Sequence, residues 1–226
     1  MVNDRGDVLS VVAPRIGPGP LGLVLAGEAA SALEHREPVR FDNAVSRLTI
    51  GGLIVEWRRA TLWSPRPDWE QLRRAAGWPS PGSLPSDIDA PLRRLVAGLV
   101  AGDWTACLAG GRKLAGRGAG LTPAGDDVLV GILHALWVWG WPSAWAMRLA
   151  AEAAPHTTTL SANLLYAAAE GEASWLWHDV VAGRPGAVAA LLAVGHTSGA
   201  DAWAGFVAAY DALRVVSPQA AHGVAG

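Results

Sequence analysis

The residues of this chain whose types and spacing could do chemistry are concentrated in Gly116-Arg117-Gly118-Ala119-Gly120-Leu121-Thr122-Pro123-Ala124-Gly125-Asp126-Asp127. The glycines at 116, 118 and 120 carry no Cβ, so the backbone can reach positive φ and main-chain N–H groups can approach a bound group closely. Thr122-Pro123 reads as an N-cap hydroxyl followed by proline in the first helical position, where a missing donor costs nothing. A glycine-rich loop entering a helix N-terminus gathers orphan N–H groups at the positive end of the helix dipole, and this is an anion site. Asp126 and Asp127 then fall in the first helical turn. They either only complement the dipole, or hold Mg²⁺ beside a phosphate, or act as acid/base groups. The string is neither a P-loop nor a dinucleotide fingerprint, because the P-loop lysine is missing and no strand feeds the loop.

Two later stretches repeat the theme of hydroxyls at a helix start. Pro155-His156-Thr157-Thr158-Thr159-Leu160-Ser161 places four hydroxyls within five residues. One suffices as an N-cap, which leaves donors for a carboxylate, carbamoyl or phosphate group. In Gly195-His196-Thr197-Ser198-Gly199-Ala200-Asp201, a C-cap followed by an N-cap accounts for the glycines and one polar residue, leaving His196 over as a structural residue or a general base. His134 lies seven residues after Asp127 on the same helical face, and burial is the reading its apolar surroundings favour. His35, His156, His178 and His222 show no zinc-ligand spacing, and no nucleophile elbow is present.

The elements that must position these motifs follow from the patterning. Val8 to Ala13 and Leu21 to Leu25 read as strands around a Gly-Pro turn, and Arg47 to Ile50 with Leu53 to Trp57 read as a hairpin across Gly51-Gly52. The first 62 residues are therefore expected to be mainly antiparallel β. A short helix from Pro67 to Ala76 and a Pro/Ser/Gly connection follow. The later pattern is helical: Pro91 to Ala101, Trp104 to Leu114 capped by Asp103, Pro123 to Trp139, Ser143 to Ala153, Ser161 to Glu170, Ser174 to Ala182, Pro185 to Ala193 and Asp201 to Leu213. The expected class is α+β, with a β-rich part over 1–85, a helical part carrying the glycine motif over 86–213, and a tail over 214–226.

Composition sets bounds on function. With 226 residues, 51% of them apolar, and a net charge of −2, the chain can bury a substantial core and has no nucleic-acid-coating character. The single Cys107 excludes an internal disulfide and fits a reducing, cytoplasmic setting. Val128 to Trp141 is apolar but shorter than the ~20 residues a membrane span needs. Twelve tryptophans against two Phe and two Tyr are read as packing residues. Residues 118–226 hold only Arg148, Arg184 and Arg214 against eight carboxylates. An anion in this half must therefore rely on backbone N–H groups, on Arg112, Lys113 or Arg117 just upstream, or on another subunit.

Taken together, Gly118 to Asp127, Thr157 to Ser161-Ala162 and Gly195 to Asp201 resemble, in order and spacing, the motifs of the AllH-like family, named for a subunit of oxamate carbamoyltransferase. The resemblance implies a bacterial cytoplasmic protein of allantoin breakdown that works with other subunits. Together they would move a carbamoyl group between oxalurate and phosphate to give oxamate and carbamoyl phosphate. It places Ala124 where the family commonly has serine. The resemblance assigns no role to single residues; from their own chemistry Asp126, Asp127 and His196 are the catalytic candidates, with Mg²⁺ on Asp126 and Asp127. The candidates for a small anion such as phosphate, carbamoyl phosphate or oxamate are Gly118, Gly120, Thr122, Gly125, Thr158, Thr159, Ser161, Ser198, Gly199 and Asp201, with Lys113 and Arg117. A non-catalytic scaffold subunit and a nucleotide- or phosphate-dependent, Mg²⁺-assisted transferase are the alternatives.

Overall fold

The computed structural model describes residues 1–2, 6–25, 39–75 and 77–216. His35, His222 and residues 217–226 of the expected tail lie outside the described residues, as does Ala76 at the end of the expected short helix. Two compact units are present, Met1–Pro65 and Arg66–Gly226.

In the first unit, β1 (Ser10–Val12) and β2 (Gly22–Val24) pair in parallel, Ser10 opposite Gly22. This departs from the expected antiparallel arrangement, because the Pro14–Ile16 turn and the Gly-Pro segment return the chain to the start of β1 instead of folding it straight back. The three-stranded sheet is antiparallel, in the order β3 (Val39–Asp42), β4 (Arg47–Ile50), β5 (Leu53–Glu56). The hairpin β4–β5 turns at Gly51-Gly52 with Ile50 opposite Leu53, as the two glycines between β-branched arms predict. Alternation buries Leu48 and Ile50 on one face. Strand β3 has no matching expectation; its four residues are all exposed and carry no buried-face pattern to read.

The second unit is helical. Its helices are α1 (Ser86–Ala101), α2 (Trp104–Leu114), α3 (Ala124–Val138), α4 (Ser143–Ala153), α5 (Thr159–Ala169), α6 (Trp175–Val181), α7 (Ala187–Leu192) and α8 (Ser198–Arg214). The fold is therefore α+β. Asp103 caps α2, its carboxylate accepting from Ala106 N at 2.9 Å. Helix α1 starts at Ser86, five residues before the expected Pro91, so Pro91 stands inside the helix and forgoes the backbone bond to the Asp87 carbonyl. Helix α3 is apolar on almost every side and forms the centre of the unit.

Helices α3 and α8 cross backbone to backbone. A Cβ on Gly131 would sit 1.9 Å from the Ala202 carbonyl oxygen, and one on Gly205 would sit 2.0 Å from that of Val128. Only glycine permits this approach. The segment after Pro65 packs on the helices through the 3-10 turn Trp69–Arg74, with Trp69 and Leu72 buried. Tryptophans 69, 177 and 203 lie inside the core, packed against His134 and Phe206. No helix among the described residues is long and apolar enough to cross a membrane.

Candidate functional site

Three helices in the second unit run in the same direction, and this brings their N-termini together. At the start of α3 and α8 the Thr122 and Ser198 hydroxyls are hydrogen-bonded at 3.1 Å, and at the far ends Trp139 Nε1 donates to the Tyr210 carbonyl at 3.1 Å. Helix α5 is aligned in the same sense. Thr158 Oγ1 and Ser161 Oγ donate to the Leu121 carbonyl at 2.7 and 3.3 Å, while Trp137 Nε1 donates to Ala169 O at 3.1 Å at the other end. Helix α4 makes the return between α3 and α5, and α6 with α7 make it between α5 and α8. The three motifs of the sequence therefore meet at one end of the unit, where three positive dipole ends add.

The glycine loop is held there by Asp126. Its Oδ1 accepts from Gly116 N at 2.8 Å and its Oδ2 from the Thr157 hydroxyl. With both oxygens occupied and only 2% of its surface exposed, Asp126 fastens the loop and the threonine stretch to α3. Gly116 has φ 72°, and a Cβ there would lie 2.3 Å from the His156 carbonyl oxygen. Thr122 does not cap α3, contrary to the expectation. Pro123 holds the N-cap position, its carbonyl accepting from Asp126 N and Asp127 N, and the Thr122 hydroxyl turns to Ser198 instead. Thr158 does cap α5, accepting from Ser161 N at 3.1 Å.

Past Asp126 the arrangement opens. The backbone N–H groups of residues 118–122 have no hydrogen-bond acceptor among the described residues, and Gly118 to Leu121 are exposed. Gly120 has φ 100° and open space where a side chain would stand. These residues form the loop that leads into the Pro123 N-cap of α3, and exposed main-chain N–H groups ahead of a helix start are of the kind that bind anions.

Asp127 and Asp201 stand on the first turns of α3 and α8, exposed by 9% and 6%, and the Oδ2 of each is buried without a hydrogen-bond partner. Burial pushes the Asp127 carboxyl up to about 7. The Ser198 hydroxyl opposes that rise, the charges of Asp201 and Asp126 add to it, and the Thr122 hydroxyl opposes it. Burial also raises Asp201, against the Thr197 hydroxyl.

Other candidates have different surroundings. A Cβ on Gly125 would meet the Leu114 carbonyl at 2.1 Å and one on Gly199 the Leu191 carbonyl at 1.8 Å, so both glycines answer to packing. Thr159 is exposed at the start of α5. Arg117 Nε donates to Lys113 O at 2.6 Å, and its guanidinium lies 3.9 Å from Asp87. Lys113 is exposed and makes no ion pair among the described residues. His196 is exposed on the turn before α8, with no hydrogen bond to the carboxylates. His134 is a core residue, 1% exposed, its Nε2 3.1 Å from the Glu172 carbonyl and its ring stacked on Trp69. Burial pushes it down to about 4, which keeps it neutral.

Sequence reasoning passed over two contributors. The Leu121 carbonyl receives two hydroxyls, and a backbone acceptor leaves no trace in residue type. Thr157 holds Asp126; its signal was the surplus of hydroxyls in the threonine stretch.

Residues 114–210 match the family model described as oxamate carbamoyltransferase subunit AllH. The match contains the glycine loop, the threonine stretch and the Gly195 to Asp201 turn, so the resemblance carried by those motifs is borne out over this segment. No solved structure matches the chain.

Proposed function

On the premise that residues 114–210 are an AllH-like segment, we propose that the chain is a subunit of a carbamoyltransferase-type enzyme. In this reading it binds a small anion where α3, α5 and α8 begin. The substrates are those of an oxamate carbamoyltransferase, with oxalurate and phosphate giving oxamate and carbamoyl phosphate, and other subunits complete the enzyme. The observation that carries this reading is the run of N–H groups at 118–122, left without acceptors at the joint positive end of three helices. Preorganised donors of this kind hold a carboxylate or phosphate in the ground state and stabilise an oxygen that gains negative charge during acyl transfer. The low count of basic side chains after Arg117 supports backbone recognition over the arginine- and lysine-rich sites of nucleotide-dependent phosphoryl transfer. The exposed His196 has no assigned step.

The test is ligand-induced thermal stabilisation of the full chain by phosphate, carbamoyl phosphate and oxamate. A ligand at 100 times its Kd adds about 2.7 kcal/mol to stability. Gly120→Val fills the open space with a side chain at positive φ and is expected to abolish the shift. No shift with any of the three, together with full activity of the assembled enzyme carrying Gly120→Val, would leave the scaffold reading.

A further inference from the structure

The strongest unassigned feature is the pair of carboxylate oxygens at the start of α3 and α8. Asp127 Oδ2 and Asp201 Oδ2 are buried and unpartnered, in residues at least nine-tenths buried. Asp126 is not a third member, since both its oxygens are filled by Gly116 N and the Thr157 hydroxyl. A buried carboxylate oxygen without a donor forfeits its hydration and gains nothing in return. Two such oxygens lie next to the Thr122–Ser198 hydroxyl pair that joins the same two helix starts; the hydroxyls of Ser198, Thr122 and Thr197 reach these carboxylates but leave both Oδ2 atoms without a partner. The donor-rich groups of 118–122 immediately precede the start of α3 in the chain.

Resting on the anion-cradle reading above, we infer that Asp127 and Asp201 form a two-acceptor clamp for the –NH₂ of a primary amide or carbamoyl group. The anionic end of the same substrate lies on the N–H groups of 118–122. A primary amide presents two N–H donors in one plane and is neutral, so it supplies the missing donors without meeting the helix dipoles unfavourably. A divalent cation fits less well. No group of three or more His, Cys, Asp or Glu able to hold a metal occurs among the described residues, and the positive ends of α3 and α8 oppose a cation. The clamp also selects. A carboxylate or methyl in place of the amide offers no donor, and a carboxylate adds negative charge beside the Asp127–Asp201 pair.

The test is isothermal titration of the full chain, with its partner subunits where they co-purify. It uses the pairs oxamate and oxalate, and carbamoyl phosphate and acetyl phosphate. In the wild type the amide member is expected to bind at least about tenfold more tightly than its partner in each pair. In Asp127→Asn and in Asp201→Asn the oxamate-to-oxalate ratio is expected to fall to within about threefold, because Asn offers an N–H to the carboxylate. A circular-dichroism melt of each variant confirms that it is folded. Binding without preference, or a preference unchanged in both variants, overturns the clamp and leaves the cradle standing. Binding of none of the four overturns both. Tight binding of Mg²⁺ alone, lost in Asp127→Asn, overturns the clamp in favour of a cation site.

Discussion

The two ends of the α3, α5 and α8 bundle are built from the same helices and finished in opposite ways. At the C-terminal end, side-chain donors meet the terminal carbonyls: Trp137 on Ala169, Trp139 on Tyr210, Trp69 on Gly171 at 2.9 Å and Arg73 on Val138 at 2.7 Å. That end is closed. At the N-terminal end the hydroxyls fasten the loops to one another, yet the N–H groups of 118–122 and two carboxylate oxygens are left over. Orphan groups exist at both ends of any helix. Among the described residues the carbonyls at one end are paired by side chains, while the N–H groups of 118–122 at the other are not, and the proposed site rests on that difference.

Four substitutions break or sharpen this contrast. Gly205→Val drives a side chain into the Val128 carbonyl and pushes α3 and α8 apart, which removes both ends at once. The expected loss is more than about 4 kcal/mol in chemical denaturation, with no ligand-induced stabilisation remaining. Trp69→Ala disturbs only the end with the paired carbonyls. It should cost about 3–5 kcal/mol while ligand Kd stays within about threefold of wild type; a parallel loss of binding would show that the two ends are not separable. Asp126→Ala releases Gly116 and Thr157 at the open end and is expected to cost about 2–3 kcal/mol, with binding lost along with loop order.

Asp127→Asn should go the other way. The folded carboxyl is raised from 3.8 to about 7, so the folded state holds its proton where the unfolded state has lost it. Wild-type stability from this group therefore falls as pH rises from about 4 to about 7. The neutral variant should gain on the wild type across that window, reaching about 1–2 kcal/mol at pH 8, and match it near pH 4. Melting curves at pH 4, 6 and 8 check this. A destabilised variant at pH 8 would mean that the Ser198 and Thr122 hydroxyls outweigh burial at Asp127.

The amino-acid sequence by itself determined the local features. Asp103 and Thr158 cap helices because short polar side chains before apolar periodic runs have a backbone N–H within reach. Gly51-Gly52 turns a hairpin, and the glycine loop enters a helix as its composition requires. Those statements concern residues a few positions apart, where chain geometry leaves few outcomes. Which distant residues meet was decided by the tertiary structure. Gly131 and Gly205 let two backbones touch, and that single contact sets α3 and α8 parallel, draws the Thr122 hydroxyl from its expected cap to Ser198, and lines Asp127 up with Asp201 instead of Asp126. Adjacent in sequence, Asp126 and Asp127 have different surroundings because they point about 100° apart on the helix. One meets the loop that closes over α3, and the other meets the start of α8. A residue string records that both are aspartates; only packing says which one still has an oxygen to offer.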